Sequence, residues 1–397
     1  MPQVSIRSAR RSAPPPPASG CQRVAFVCNH CHTLALFRGG IIRMLVVAGY
    51  EVHAIAPYDE SAAQLLALGA DLHELPLSRH GYNPLDEWRT IRTLERLYRK
   101  LEPDIIFHYT IKLNIYGTYA AQALKLASVS VVPGLGIFPD VARRPLRLML
   151  SRGYRYAAEH ATEVWFLNQH DFGFFESRDW LRGTVARVLP GEGVDLSYFD
   201  LRPLPRRAGL KVYFIGRLLG NKGLRVFADA ALEARDRGLP FEFHVIGPLE
   251  EQTASGVAAS QVAEWVRAGI LAYHGFSKDV RPFLEDADVV CVPTHYREGL
   301  NRTLQEAMAC GRPVITTNVP GAGELVDHGK TGYIVPTHDP AAILDALELH
   351  YGLTSETKAA MGRRARQRVV RDFDERIVHG HYYDVIARVS NAATAAA

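Results

Sequence analysis

Arginine and lysine beside glycines at the end of a strand are well placed to take hold of phosphate. The stretch IGRLLGNKG (215–223) has that form. Gly216 closes an apolar run, Arg217 and Lys222 flank the turn, and Gly220 and Gly223 permit tight backbone paths. A helix starting here offers N–H groups with no intrahelical partner, which attract an anion. Arg forks two phosphate oxygens and Lys acts as a point charge, so the pair suits a diphosphate. The plainer reading is a solvated basic loop before a surface helix. The GKS or GKT of a Walker loop is absent.

A second cluster, HYREGLNRTLQEAMACGRPVI (295–315), puts Glu298 in a turn and Glu306 eight residues later in a short helix that Gly311 ends. A carboxylate accepts hydrogen bonds from neighbouring sugar hydroxyls. One Glu in the loop and one a turn into the helix would reach two parts of one long ligand. The plainer readings are a capping box for Thr303 and Glu306 and a solvent-facing turn for Glu298. CNHCH (28–32) holds zinc-type ligands. A second pair is missing, and a thiol ending an apolar strand, like Cys28, is commonly just buried.

Such residues need strand ends to carry them. The alternation supplies these: strands at 23–29, 51–57, 70–77, 104–110, 128–134 and 163–168, with helices at 37–49, 60–68, 84–102, 114–126 and 143–160 between them. This is the βα pattern of a parallel sheet covered by helices. The first strand lacks GxGxxG, which argues against a dinucleotide. Its loop (29–38) still lies where ligands bind, with Phe37 and Arg38 opening the next helix. FDLRPLPRRAG (199–209) suits a linker, and the alternation restarts with strands at 211–216, 241–247, 287–293, 313–318 and 331–336. The expected layout is a basic, Pro-rich disordered tail (1–21), a first lobe (22–199), a linker (200–210), a second lobe (211–372), a helix at 373–389 and a frayed tail (390–397).

The chain has 397 residues, 47% of them apolar, and a formal charge of +4. That is globular composition for two or three domains, and it excludes wholesale disorder, a collagen repeat and a disulfide scaffold. The charge is too mild to indicate nucleic acid. Five scattered cysteines suit a reducing compartment. No run reaches the ~20 apolar residues of a bilayer span, and the first twenty lack a signal peptide's apolar stretch.

Glu298 and Glu306 resemble the E-x7-E motif of retaining glycosyltransferases of family GT4, and 293–315 resembles that motif with its flanks. GRLLGNKG (216–223) resembles the family's diphosphate loop, VLPGEGVDLSYF (188–199) the end of its first lobe, and 37–57 its first βαβ unit. The likeness runs over about 22–386. It implies an α/β GT-B fold, two Rossmann-like lobes facing across a cleft, with the final helix crossing back to the first lobe. It implies a nucleotide-sugar donor, a UDP-sugar in our reading, in the second lobe and no metal. Arg217 and Lys222 would neutralise the leaving diphosphate. Glu306 would bind the ribose and Glu298 the transferred sugar. The backbone at Leu300 and Asn301 would lie near the donor, with Gly216 and His295 as further contacts. DAD (286–288) resembles a metal-binding DxD only superficially and reads as a strand entry.

The implied reaction keeps the anomeric configuration by same-face attack, with no protein nucleophile and with lobe closure excluding water. VVPGLGIF (131–138) and HYTIKLNIYG (108–117) resemble the subgroup that adds a sugar to undecaprenyl-diphosphate-linked saccharides. This implies an acceptor side made of Phe37, Arg38, Lys112, Asn114, Gly134 and Gly136. The stretch 140–160 mixes Arg143, Arg144, Arg147, Arg152 and Arg155 with Leu146, Leu148, Met149, Leu150, Tyr154 and Tyr156. A basic amphipathic helix of that kind can rest on an anionic membrane, here through 143–157. The expectation is a cytoplasmic enzyme, peripheral on the inner face of the cell membrane, in cell-surface polysaccharide assembly. A soluble acceptor, a non-catalytic nucleotide-sugar-binding subunit and a sugar-phosphate epimerase are the alternatives.

Overall fold

A computed structural model describes residues 17, 22–77, 83–135, 138, 144–297 and 299–396. Most of the expected tail 1–21, Arg143, and the candidate site residues Gly136 and Glu298 lie outside the described residues. The chain divides into Met1–Glu192 with Glu375–Ala397, and Gly193–Asp374.

The first unit alternates β1 (Arg23–Val27), α1 (Cys31–Val47), β2 (Glu51–Ala56), α2 (Ala62–Ala67), β3 (Asp71–Glu74), α3 (Pro84–Leu101), β4 (Ile105–Tyr109), α4 (Ile111–Ala123), β5 (Ala127–Val132), α5 (Arg144–His160), β6 (Glu163–Phe166), α6 (Gln169–Glu176) and β7 (Val185–Val188). The seven strands are all parallel, in the order β3-β2-β1-β4-β5-β6-β7. Strands buried on both faces read as continuous apolar runs, as IIFHY does in β4. Close packing of α4 on β4 needs Gly117, where a Cβ would lie 2.3 Å from the His108 ring.

The second unit runs β8 (Leu210–Ile215), α7 (Leu224–Asp236), β9 (Phe241–Ile246), α8 (Ala259–Arg267), β10 (Ala272–Tyr273), α9 (Arg281–Asp286), β11 (Val289–Val292), α10 (Arg302–Ala309), β12 (Val314–Thr317), β13 (Gly332–Val335), α11 (Pro340–Tyr351) and α12 (Ser355–Asp372). Its strand order, β10-β9-β8-β11-β12-β13, is again all parallel. In both units the order reverses beside the first strand, between β1 and β4 and between β8 and β11. Ligands bind doubly wound sheets beyond the carboxyl ends of the strands at such a reversal.

The chain then re-enters the first unit through α13 (Glu375–Ala396). Val378, Tyr382, Val385 and Ile386 join the first unit's core. The Tyr382 ring sits 4.7 Å from Phe107 and 4.9 Å from Trp165, and its hydroxyl is 2.8 Å from that of Tyr109.

Three boundary expectations are corrected. The first unit ends at Glu192 rather than at 199. Residues 200–210 are not a free linker. Arg202 donates its N–H to the Cys310 carbonyl at 3.2 Å, buried Arg312 donates to the carbonyls of Arg202 and Pro203, and Arg207 pairs with Asp286 at 2.8 Å. Residues 390–396 continue α13 instead of fraying. Among the described residues, no helix is long and apolar enough to cross a membrane.

Two buried histidines set an acid limit. Burial holds His108 in the first unit at a pKa of about 3, and in the second unit burial, followed by nearby Lys358, holds His350 at about 4. The unfolded chain protonates both near ~6.5 and so binds more protons below that pH. Their neutral-state stabilisation is therefore complete above pH ~6.5 and is lost as pH falls toward the folded values. We expect the urea midpoint to hold steady from pH 8 to 7 and to fall between about pH 6 and 4, each histidine adding up to ~1.4 kcal/mol per pH unit. In H108Q the slope at pH 5 should drop by that share; an unchanged slope would remove His108 from the account.

Candidate active site

The loops following β8 and β11 meet at the second unit's reversal point. Gly216 lies one residue past β8, its N–H on the Ile246 carbonyl at 2.9 Å. Residues Gly220–Lys222 form one 3-10 turn. Gly223 follows with φ +88°, and a Cβ there would lie 2.1 Å from the Pro293 carbonyl oxygen. The β8 loop is thus pressed against the β11 loop at a residue only glycine can occupy. The Asn221 carbonyl accepts from the His295 N–H at 3.0 Å and from Thr294 Oγ1 at 3.2 Å. Lys222 Nζ stands 6.0 Å from the centre of the Tyr296 ring. The cation-bearing loop and the start of the E-x7-E stretch therefore form one joined surface.

Arg217 is about half exposed and pairs with Glu250, from the loop after β9, at 3.1 Å. Buried Asn301 caps α10, its Oδ1 accepting the Leu304 N–H at 3.0 Å, while its own N–H reaches the Gly321 carbonyl at 2.7 Å. The capping-box reading of Thr303 and Glu306 is corrected, because the helix starts two residues earlier than it required. Leu300 packs on the core. Glu306 is largely buried and accepts from Arg302 Nε at 2.7 Å, one turn away. Burial pushes its carboxyl above the usual range, with Arg302 opposing.

The ring of His295 lies 4.2 Å from that of His338. Burial first and His338 second lower its pKa, so it is neutral at pH 7. Buried His295 Nδ1, Asn221 Oδ1 and Gln305 Nε2 have no hydrogen-bond partner among the described residues. All three belong to the loops or helix that carry the candidate site, where a polar ligand would satisfy them.

In the first unit the acceptor-side candidates are held by the protein itself. Arg38 is buried, neither solvent-facing nor free: it donates to Glu192 at 2.7 Å and lies 4.2 Å from the centre of the Tyr109 ring. Phe37, half-buried, gives its carbonyl to the Arg38 guanidinium. Lys112 pairs with Glu87 at 2.7 Å with both side chains nearly buried. Fully buried Asn114 donates to the Val131 carbonyl at 2.8 Å and so ties α4 to β5. Gly134 stands two residues past β5.

Among the described residues, neither CNHCH nor DAD gathers a metal-like cluster. Cys28 and Cys31 are buried free thiols, the second donating to the Pro57 carbonyl. Burial pushes the Cys28 thiol up to about 11. Asp286 accepts from Tyr213, Arg207 and Lys211 at 2.6, 2.8 and 3.0 Å. Burial would raise this carboxyl, but those donors hold it below the ordinary carboxylate range.

Sequence reasoning missed Glu250, Asn221 and His338 around the second unit's loops, and Thr110 in the first. Thr110 occupies φ 73°, ψ 158° just past β4, a conformation that costs a non-glycine residue ~1–3 kcal/mol and that collects at functional sites. No local pattern marks it.

Residues 209–351 match the family model described as glycosyl transferases group 1, and residues 23–168 match glycosyl transferase 4-like. The chain is 32% identical over 197 residues to the putative colanic acid biosynthesis glycosyltransferase WcaL of Escherichia coli (strain K12), a match spanning about half of either chain (47% of each). It is 23% identical over 392 residues to the N,N'-diacetylbacillosaminyl-diphospho-undecaprenol alpha-1,3-N-acetylgalactosaminyltransferase of Campylobacter jejuni, covering 92% of this chain and 99% of that one. Among solved structures, Anabaena Alr3699/HepE in complex with UDP aligns with a TM-score of 0.75 and 16% identity, over 92% of this chain and all of that one.

Proposed function

We propose that this chain, a glycosyltransferase of the GT-B fold, is a retaining GT4 enzyme that moves a sugar from a UDP-sugar to a lipid-linked saccharide in cell-surface polysaccharide assembly. The observation that carries the reading is the junction of the 216–223 and 293–306 segments at the β8/β11 reversal, locked through the Asn221 carbonyl and Gly223. Arg217 and Lys222 meet the diphosphate there, where negative charge grows as the sugar–phosphate bond breaks. Glu306 takes the ribose hydroxyls, and Glu298 the hydroxyls of the transferred sugar. His295 and the backbone at Leu300 and Asn301 line the donor. The departing phosphate oxygen takes the acceptor proton on the same face, so no protein nucleophile is needed.

The polyprenyl-diphosphate acceptor is supported by the near full-length likeness to a transferase named for a diphospho-undecaprenol acceptor. Gly134 and Phe37 belong to the acceptor side, to which Gly136 is assigned from the sequence alone. Arg38 and Asn114 frame that side, the Arg38 guanidinium held by Glu192 and the Asn114 amide by the Val131 carbonyl, with Arg38 Nε and Asn114 Oδ1 left without a partner among the described residues. The basic face of α5 rests on the inner membrane surface, with a smaller apolar part than the sequence suggested. Leu150 and Tyr154 are core residues, and only Leu148 and Met149 stand out as exposed apolar side chains.

The test is a matrix of UDP-sugars against polyprenyl-diphosphate saccharides in detergent, free saccharides and no acceptor, with UDP release and product linkage read out. Acceptor-dependent release on a lipid-linked row supports the proposal. Release only with free saccharides moves the acceptor to a soluble sugar. UDP binding without turnover on any row would make the chain a non-catalytic subunit.

A further inference from the structure

Two strands at one edge of the first sheet bring four ligating side chains together. Glu51 and His53 share a face of β2, and Asp71 and His73 share a face of β3, because residues two apart on a strand point the same way. The parallel register sets Asp71 opposite His53. His53 Nδ1 stands at the centre of the group, with His73 Nε2 at 3.3 Å and Asp71 Oδ2 at 3.9 Å. One ligand atom from each of Glu51, His53 and Asp71 lies within 4.8 Å of the other two. His53 is buried, whereas the side chains of Glu51 and Asp71 are well exposed, so an ion reaches the group from the solvent side.

The second unit carries the same frame without the third ligand. Glu242 and His244 on β9 repeat Glu51 and His53, and His274, just past β10, repeats His73. The residue opposite His244 is Ala272, where the first unit has Asp71. His244 Nδ1 and His274 Nε2 stand 2.9 Å apart, an ordinary hydrogen-bond distance. The corresponding nitrogens of the first unit stand wider, at 3.3 Å. Two nitrogens each ~2.0–2.1 Å from a tetrahedral ion lie about 3.3 Å apart.

Burial, the largest influence on both rings, holds His53 and His73 below the ordinary imidazole pKa, so both are neutral at pH 7, the form that binds a metal. The cations that bear on them are Arg23, itself paired with Glu102 at 3.2 Å, and Lys100. Glu51 and Asp71 offset these charges. Buried His53 Nε2 has no hydrogen-bond partner among the described residues, although Glu51 Oε1 is 3.2 Å away. A metal on Nδ1 puts the ring proton on Nε2, and a small turn of the exposed Glu51 side chain lets it accept that proton's hydrogen bond, the usual support for a ligating histidine.

We propose that His53 Nδ1, His73 Nε2 and an Asp71 carboxylate oxygen bind a divalent cation of the zinc class, with Glu51 orienting His53. The site lies toward the amino ends of β2 and β3, away from the carboxyl ends where a doubly wound sheet meets its ligands. The ion is therefore structural. It clips β3, an edge strand of four residues, to β2. The assignment is independent of the transfer reaction proposed above.

The experiment titrates Zn²⁺ into the tag-free full chain, stripped beforehand with a chelator, and repeats the titration with Co²⁺ read by its visible absorption. One Zn²⁺ per chain should bind with micromolar affinity, and Co²⁺ should develop the intense bands of a tetrahedral site. Zn²⁺ at a hundredfold excess over Kd should raise the first unit's melting temperature by ~5–10 °C. H73Q and D71N, both on the edge strand, should weaken binding by at least ~10-fold, and E51Q by about tenfold. H244Q in the second unit and H30Q/H32Q in the CNHCH loop should bind like wild type, and the stripped chain should keep its UDP affinity. Absence of saturable binding, or wild-type affinity in H73Q and D71N, would overturn the site and leave a hydrogen-bonded pair like that of His244 and His274. Loss of binding in H244Q or H30Q/H32Q instead would place the ion elsewhere and overturn it equally. A stripped chain that no longer bound UDP would overturn the structural role.

Discussion

R217A should lower kcat for sugar transfer by roughly 10²–10³-fold, the loss seen when one aligned donor to a developing oxyanion is removed. The fold should not suffer. Arg217 is half exposed and its partner Glu250 is partly exposed too, and such a pair is worth ~0–1 kcal/mol. The weakness of that pair matters to the mechanism. In the proposed mechanism a diphosphate would displace Glu250 at little cost, the guanidinium being oriented before the donor arrives and still available to it. R217K keeps the charge and loses the fork, and its kcat should fall between the two. K222A should act in the same direction, and the double variant should cost less than the product of the singles, because the proposed function gives both cations one leaving group. Unfolding curves superimposable on wild type are part of the expectation. An R217A enzyme within threefold of wild-type kcat would take the leaving-group role away from Arg217.

How far this site could be read from sequence depends on how local its signals are. Strands such as KVYFIG and ADVVCVP, and the loops after them, announce themselves because burial on both faces makes a short apolar run and the turn demands glycine. The same reasoning found α7 and α10 and placed Arg217, Lys222 and Glu306 on the right loops and helix. It failed where the signal is short or distant. The edge strands β7 (VARV) and β10 (AY) are too brief and too polar to show a period. In α6, QHDFGFFE carries a glycine and three aromatic residues that blur its helical stripe. Trp88 fits the apolar face of α3 by spacing, yet it is exposed. The arginines and prolines of 200–210 suggested a linker because composition cannot reveal that Asp286, Asp288 and Cys310 wait 79 or more residues away to hold them.

The same limit explains the acceptor side. Lys112 and Asn114 lie in the first turn of α4, just past β4, where a ligand would be met, whereas Arg38 sits well inside α1 rather than opening it, because the helix already starts at Cys31. Their partners Glu192, Glu87 and Val131 are supplied by other elements. Polar groups at a reversal point therefore divide into those the fold has already satisfied and those it leaves open. Among the described residues the open atoms near these reversals are His295 Nδ1, Asn221 Oδ1 and Gln305 Nε2 in the second unit, and Arg38 Nε and Asn114 Oδ1 in the first, on side chains whose other polar atoms are held. None of these was separable by residue type from its satisfied neighbours.

The satisfied group with most at stake is the Arg38–Glu192 pair. E192A should destabilise the first unit by ~3–5 kcal/mol, because it leaves a buried guanidinium without its counter-charge. Arg38 is 4% exposed at the side chain and Glu192 13%. The remaining neighbours, the Phe37 carbonyl at 3.2 Å and the Tyr109 ring at 4.2 Å, offer a dipole and a π face rather than a charge. R38M removes the cation instead, and Glu192, nearer the solvent, can reach water, so it should cost less than E192A. Replacing both with apolar residues of similar size, R38M/E192L, should recover much of the E192A loss, since a buried pair often yields little over a well-packed apolar substitute. Urea unfolding, followed by the fluorescence of Trp165 in the first unit's core, reads all three. An E192A curve within 1 kcal/mol of wild type would mean that water reaches Arg38, and that α1 is held to the end of the first unit by packing rather than by charge.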